Sequence, residues 1–302
     1  MKKKRLMKHY TRHDCMGLIY ISPWIIGFLL LQLYPFVSSF VYSFTDYQFF
    51  NDPKFIGLGN YIKLFTIDPE FMNSLKVTVL YTVFTVPGKL IMALFIAVLL
   101  NRNIKGIGLI RTIYYLPSLF GGSVAVAILW TLLFMDDGAI NNLLLFFHLP
   151  KVQWLGNAKV ALVTICMLEI WQFGSSMVMF LAALKQVPVA LYEAASLDGA
   201  GKVKCFFKIT LPQISSIIFF NVIMQTITAL QNFISAFVVT NGGPNKGTYV
   251  LGMKLYTDAF THFKMGYASA TSWVIFGMIL IVTLLLFKYS SGKVYYEDGG
   301  DF

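Results

Sequence analysis

Residues 193–212 read EAASLDGAGKVKCFFKITLP. The stretch holds three lysines, two acids and the glycines Gly199 and Gly201. On both sides the chain stays apolar for longer than the ~20 residues that cross a bilayer as a helix. The polar interruption therefore separates two membrane spans. The side it faces sets the topology of the whole chain.

Working outward, six stretches have this length and character: 16–44, 74–100, 109–135, 158–184, 212–240 and 266–289. They are long and lack period-two alternation, which selects helices over barrel strands. Of the 302 residues, 57% are hydrophobic and 13% charged, against about 25% charged in soluble domains. A single soluble core does not bury that much apolar surface at this length. The expected fold is all-α: a polytopic, six-helix membrane domain over residues 16–290. A basic tail (1–15) precedes it and a short tail (291–302) follows. The basic-then-apolar start resembles a secretory signal, but the apolar run is too long and lacks a small-residue cleavage site. It reads as a retained first span.

The net charge of +10 sorts by side. Lys2, Lys3, Lys4, Arg5, Lys8 and Arg12 precede the first span. Arg102, Lys105 and Arg111 sit in the short second connection. Lys185, Lys202, Lys204 and Lys208 flank or fill the opening stretch, and Lys288 and Lys293 close the chain. The other side spreads its lysines among Asp46, Asp52, Asp68, Glu70, Asp136, Asp137 and Asp258. By the positive-inside rule, both termini and the 193–212 stretch are cytoplasmic. The basic balance is thus a topology signal and gives no support for nucleic-acid binding. Cys15, Cys166 and Cys205 are scattered and odd in number, so no disulfide framework or metal motif follows.

The 188–212 segment reads as two short helices. Pro188 suits a helix start, and Leu191, Ala194 and Ala195 share a face. Asp198-Gly199 is a C-cap or turn signal. A second helix fits 202–210, with Val203, Phe206 and Phe207 at i, i+3, i+4. Two readings of these residues stand. One is an amphipathic hairpin lying on lipid headgroups. The other is a docking element, whose small residues Ala194, Ala195, Gly199, Ala200 and Gly201 admit another backbone.

The run Glu193-Ala194-Ala195, Gly199, Ile209 and Leu211-Pro212, with its intervening spacing, resembles the EAA loop of permease subunits of binding-protein-dependent ABC importers. Asp198-Gly199-Ala200 matches the usual extension. Ser216 stands where many members carry a further proline. Thr240-Asn241-Gly242-Gly243-Pro244 with Thr248, the stretch from Phe55 to Tyr61 and Gly266-Tyr267-Ala268-Ser269-Ala270 resemble stretches of the carbohydrate-importing branch. The closest type is the maltose and glycerol-phosphate permease that pairs with a different second permease, and the resemblance runs from about Pro23 to Tyr289.

This resemblance implies a non-catalytic subunit in a bacterial plasma membrane, multi-pass, with a type I permease fold. It implies as partners a second permease subunit, two ATPase subunits that hold ATP and Mg, and an extracytoplasmic sugar-binding protein. It also implies a carbohydrate cargo, an oligosaccharide. No GxxxxGK[ST] loop occurs in this chain, and no cofactor of its own is expected. Glu193, Ala194, Ala195, Asp198, Gly199, Ala200 and Phe206 are the expected ATPase-coupling residues. Phe206 and Phe207 pack either on the partner or back on this chain.

Polar side chains in mid-span face the bundle interior. Amides, hydroxyls and carboxylates bind sugar hydroxyls, and aromatic rings cover the apolar sugar faces. Ser118, Ser123, Glu169, Trp171, Gln172, Gln225, Thr228 and Asn232 supply that mixture and are the expected substrate-binding residues. Any single one of them also suits the role of helix glue. Lys89, too deep to reach the surface, joins the set: it pairs with Glu169, or it neutralises an acidic sugar or a lipid headgroup. Trp24, Trp130 and Trp154 lie near expected span ends and read as interfacial anchors. The alternative to an importer subunit is an ion-coupled secondary transporter. Its usual inverted repeats and midplane ion sites are not evident. A membrane enzyme would need a nucleophile–base set, but His9, His13, His148 and His262 all lie outside the expected spans and HExxH and GxSxG are absent.

Overall fold

The longest helix, Pro69–Leu100, begins where the sequence supplies both a cap and a proline. Asp68 accepts hydrogen bonds from the amides of Glu70 and Phe71 at 2.9 and 3.1 Å. Pro69 occupies the first helical position, where its missing N–H costs nothing. This helix is the axis around which the other elements assemble. The computed structural model describes residues 12–49, 51–102 and 105–290. The basic tail through residue 11 and the tail 291–302 lie outside the described residues.

In chain order the elements are α1 (Ile19–Ser43), α2 (Pro69–Leu100), α3 (Ile107–Leu119), α4 (Val124–Phe134), α5 (Ala139–Phe146), α6 (Ala158–Trp171) and α7 (Gly174–Gln186). Then come α8 (Val189–Leu197), α9 (Lys202–Gln213), α10 (Ser215–Leu230), α11 (Ile234–Thr240), α12 (Leu251–Tyr256) and α13 (Met265–Ser290). No β-strand occurs among the described residues, only two isolated bridges. Four segments are long and apolar enough to span: Ile19–Ser43, Pro69–Leu100, Val124–Phe146 and Met265–Ser290. The pairs α6–α7, bent by 44°, and α9–α10, bent by 68°, bring the number to six. The all-α polytopic class is therefore as expected.

Besides the expected span 158–184, which bends between α6 and α7, two expected spans differ in detail. The stretch 109–135 is not one helix: it opens at Phe120–Ser123, where Gly122 takes φ +72°. The apolar segment that meets the length requirement instead starts at Val124 and passes a turn at 135–138 to Phe146. The stretch 212–240 opens at residues 231–233. There Gly252 of α12 packs so closely that a Cβ on it would lie 2.7 Å from the Asn232 carbonyl oxygen.

Helix α2 packs on α6, α7, α10 and α12, and α1 packs on α13. The core around α2 is built from Tyr81, Ala93, Ala97, Ile165, Met177 and Phe180, each 1% exposed or less. Ala93 and Ala97, one turn apart, let neighbouring helices close in. Gly88 does the same toward α6: a Cβ there would meet Ile170 Cδ1 at 2.6 Å. The outer faces stay apolar and uncovered, as at Val83, Phe84, Ile91 and Phe95 of α2, which is what a helix facing lipid requires. Two of the three tryptophans expected at the interface also stitch elements together. Trp130 Nε1 donates to the Thr164 carbonyl at 3.0 Å and Trp154 Nε1 to Asn141 Oδ1 at 3.1 Å. A half-buried indole N–H needs such an acceptor. Trp24 is exposed on α1.

The quoted loop motifs are joints at one end of α2. Asn60 Nδ2 donates to the carbonyls of Ser43 and Thr45 at 2.9 and 2.8 Å. The Gly266 amide donates to the Tyr47 carbonyl at 2.8 Å, and a Cβ on Gly266 would fall 2.2 Å from the Thr45 carbonyl oxygen. Thr248 Oγ1 donates to the Gly243 carbonyl at 2.9 Å, holding the 240–248 turn in which Asn241 and Gly242 have positive φ. At the same end, Lys254 Nζ lies 2.7 Å from Asp68 Oδ2 and 3.0 Å from Asp258 Oδ2. The Tyr267 hydroxyl donates to Asp68 Oδ2 at 2.6 Å. These bonds join the start of α2, the 251–261 helix and the start of α13.

Burial pushes the Asp68 carboxyl up, but the hydrogen bonds from Lys254 and Tyr267 and the Lys254 charge outweigh it and hold it below the ordinary range. Burial pushes the Lys254 ammonium down, but Asp68 and Asp258 outweigh it and hold it above its ordinary value. A depressed acid stabilises the fold above its unfolded pKa of about 3.9 and loses that contribution as pH falls through the folded value. A raised lysine contributes fully below about 10.4 and loses its contribution as pH rises through the folded value. The network should therefore hold across neutral pH and weaken at either extreme. Lys254→Met removes the buried cation between Asp68 and Asp258 and should cost about 3–5 kcal/mol. Thermal melting in detergent at pH 7 tests this; an unchanged melting temperature would contradict it.

Candidate functional site: an intramembrane polar cavity and an exposed hairpin

Three helix interruptions meet in the interior. They are the Phe120–Ser123 turn between α3 and α4, the Gln172–Phe173 bend between α6 and α7, and the 231–233 opening between α10 and α11. Between them lies a cavity of about 590 Å³, within the ~300–1,000 Å³ of small-molecule sites. Of the nine residues expected to bind substrate, eight line it: Lys89, Ser118, Ser123, Glu169, Gln172, Gln225, Thr228 and Asn232.

Each is positioned by a traceable local cause. Ser118 lies near the end of α3, and its hydroxyl donates to the Tyr115 carbonyl at 2.7 Å. It is held where Gly174 lets α7 touch α3: a Cβ on Gly174 would lie 2.8 Å from Ser118 Oγ and from Tyr115 Cα. Gln172 sits at the α6–α7 bend, buried, with its Oε1 against Gly121, where a Cβ would come within 3.0 Å. Gln225 Nε2 donates to Ser176 Oγ at 3.2 Å, joining α10 to α7. Asn232 Oδ1 accepts from Ser235 Oγ at 2.7 Å, while Asn232 Nδ2 is buried without a hydrogen-bond partner. Lys89 Nζ lies 4.0 Å from Glu169 Oε2. The internal pairing expected of Lys89 is the arrangement the structure holds.

Trp171 is the exception. It lies outside the polar cavity, on an apolar pocket with Tyr114, Leu116, Phe120 and Leu129, and its ring sits 5.8 Å from that of Trp130. Successive helical residues point about 100° apart at 3.6 residues per turn, so Trp171 and Gln172 do not share a target. The lining also holds residues outside the expected set, among them Tyr81, Thr85, Phe233 and Ser235. Tyr81 and Thr85 precede Lys89 by eight and four residues on α2. That helical spacing from a buried charge was the available signal.

The 188–212 segment is the second feature. Helix α8 follows Pro188, and α9 starts after Gly201. Asp198 closes α8, Gly199 takes φ +71°, and the Ala200 amide donates to the Ala195 carbonyl at 2.9 Å. This is the glycine-capped helix end that the left-handed conformation requires. The Tyr192 hydroxyl and Thr210 Oγ1, 2.8 Å apart, tie the two arms together. Glu193, Ala194 and Asp198 are exposed; Ala195 and Ala200 are half-buried. Apolar side chains stand out beside them: Leu197 is 90% exposed, Val203 73% and Phe207 60%. Phe206 is half-buried and meets Phe207 edge to face at 5.2 Å. The pair thus divides, one ring turned inward and one outward.

Comparison with known proteins adds three findings. The family model described as "Binding-protein-dependent transport system inner membrane component" matches residues 77–291. The probable ABC transporter permease protein YesP of Bacillus subtilis is 48% identical over 301 residues, covering 99% of this chain and 96% of the relative. The sulfoquinovosyl glycerol transport system permease protein SmoG of Agrobacterium fabrum is 34% identical, covering 90% of this chain and 89% of the relative. Among solved structures, a chain of a bacterial alginate ABC transporter, crystallised with a periplasmic protein bound to an alginate pentasaccharide, superposes with a TM-score of 0.82. It shares 23% identity and covers 95% of this chain and 97% of that one. The last likeness establishes the fold.

Gly174→Val forces α3 and α7 apart and displaces Ser118 from the cavity wall. The expected outcome is a loss of transport of about tenfold or more, roughly 1.4 kcal/mol, with the chain still in the membrane. Uptake into vesicles measures it; full uptake would contradict the packing account.

Proposed function

The chain belongs to the family of binding-protein-dependent transport system inner membrane components, and on that premise we propose that it forms one half of a heterodimeric permease for a carbohydrate. Its cargo is an oligosaccharide delivered by an extracytoplasmic binding protein, and two separate ATPase subunits bind and hydrolyse ATP with Mg. Family members of this kind are non-catalytic, and the chain is a multi-pass membrane protein. Both termini and the 188–212 hairpin face the cytoplasm in this reading, which the lysine and arginine bias supports.

The observation that carries the reading is the hairpin itself. An apolar surface of Leu197, Val203 and Phe207 stands exposed beside Glu193 on a polar, glycine-turned loop. Exposed apolar patches rimmed by polar residues mark interaction sites. A cleft on an ATPase subunit is the surface this hairpin fits, and lipid headgroups are the surface left to it in the absence of that partner. Glu193 supplies the polar contact, Ala194, Ala195 and Ala200 allow close approach, Gly199 sets the turn, and Phe206 anchors the second arm to the bundle.

The cavity supports a polyhydroxylated cargo. Its walls offer amides at Gln172, Gln225 and Asn232, hydroxyls at Ser118, Ser123 and Thr228, and rings at Tyr81 and Phe233. Relatives whose names specify a cargo include permeases for sulfoquinovosyl glycerol, lactose and sn-glycerol-3-phosphate. An ion-coupled secondary transporter finds no support in these comparisons.

Glu193→Lys and Gly199→Pro test the coupling in the assembled transporter. Gly199→Pro demands a φ near −65° where the chain holds +71°. Both variants should reduce substrate-stimulated ATPase activity and uptake by about tenfold or more, roughly 1.4 kcal/mol, while the transmembrane domain keeps its melting temperature. Normal stimulated ATPase and transport in both would remove the coupling role.

A further inference from the structure

Lys89 and Glu169 are the two formally charged side chains on the cavity wall. Their separation of 4.0 Å is an ion pair in distance but too long for a hydrogen bond. Lys89 lies on α2 and is 7% exposed; Glu169 lies on α6. A structural salt bridge at membrane depth is worth its desolvation only when the two groups also hydrogen-bond well. This pair instead stands apart with its polar atoms turned to a space large enough for a ligand. On the same cavity wall, Asn232 Nδ2 is buried with no acceptor. An ion pair too long to hydrogen-bond and an unpartnered donor thus line one space.

We propose that Lys89 and Glu169 are a specificity-determining pair bridged by a sugar hydroxyl, so that the sugar unit seated at this point presents hydroxyls there and not a carboxylate. The inference rests on the carbohydrate reading given above. A hydroxyl both accepts and donates: it accepts from the Lys89 ammonium and donates to the Glu169 carboxylate. With each bond at about 2.8 Å, one oxygen spans the gap without moving either side chain. Two adjacent hydroxyls span it equally well, one accepting from Lys89 and the other donating to Glu169. Asn232 Nδ2 then offers a donor to a further sugar oxygen. A carboxylate serves Lys89 alone and meets Glu169 with like charge. The pair therefore admits acidic oligosaccharides only through one of their hydroxyl faces. Rejection of a group that cannot complete a buried polar set is the stronger kind of discrimination.

The test uses full-length chain assembled with its partner subunits in vesicles. Uptake is measured for neutral gluco-, xylo- and arabino-trisaccharides and for trigalacturonate. Lys89→Met and Glu169→Gln should each lower uptake of the transported trisaccharide at least tenfold. Single variants also unbalance charge, so the double variant Lys89→Gln/Glu169→Gln decides between roles. It should recover the wild-type melting temperature and still transport at least tenfold less. Glu169→Gln should also raise uptake of trigalacturonate relative to the neutral sugars. A double variant that transports like the wild type makes the pair structural and overturns the inference, as does a wild type whose preference for neutral over acidic sugar survives Glu169→Gln unchanged. A wild-type complex that carries no carbohydrate overturns the parent reading, and this inference with it.

Discussion

Hydrocarbon offers no partner to a polar group, so every backbone amide at membrane depth must be satisfied by the protein or by water held within it. The architecture follows from this constraint. Helices α1, α2 and α13 run unbroken and present apolar faces outward. The helices that break do so at Phe120–Ser123, at Gln172–Phe173 and at 231–233, and all three openings line one cavity. Non-helical backbone is tolerated at that depth where it faces a wet interior. The breaks that interrupt the spans are thus the same features that make a place for a polar cargo.

The cavity and the hairpin are mechanically continuous. Helix α7 carries the Ser176 contact to Gln225 and runs to Gln186, just before Pro188 and α8. It packs on α2, which contributes Tyr81, Thr85 and Lys89 to the wall, and on α3, which contributes Ser118. The Tyr192–Thr210 bond fixes the other arm, which leads through Ile214 into α10 with Gln225 and Thr228. In the proposed coupling, a displacement of the hairpin would reach both sides of the cavity through these contacts. At the far end of α2, the Asp68–Lys254–Asp258 network anchors the helix against the 251–261 segment and α13. In the proposed coupling this network would serve as the fixed end.

Much of this was legible in the sequence, for physical reasons that can be named. Span length and composition gave the class, because a bilayer demands about 20 apolar residues per helix. The hairpin was legible because Asp198-Gly199 announces a capped helix end, and Gly199 indeed has positive φ. Lys89 and Glu169 stood out because charge in a span is costly. The break at Phe120–Ser123 had a visible sign in Gly121-Gly122, but the opening at 231–233 contains neither glycine nor proline. What marks it is a tertiary contact, the close packing of Gly252 some twenty residues away. Tyr81, Thr85 and Ser235 looked like ordinary polar residues of a span; only the folded arrangement turns them to the same space. Trp171 was misplaced because its neighbour Gln172 faces the cavity and it, one residue earlier, does not.

In the proposed function, cargo passes through a water-filled cavity enclosed by the three helix openings. Thiol accessibility tests it directly, in a chain whose native cysteines are replaced and which carries a single cysteine at Asn232, at Thr228 or, as a lipid-facing control, at Val83. A membrane-impermeant maleimide should label the first two in the assembled transporter, with labelling changing between nucleotide-free and ATP-trapped states, and should leave the third unlabelled. Equal inertness at Asn232 and Val83 in both states would mean that the cavity is dry and that the account is wrong.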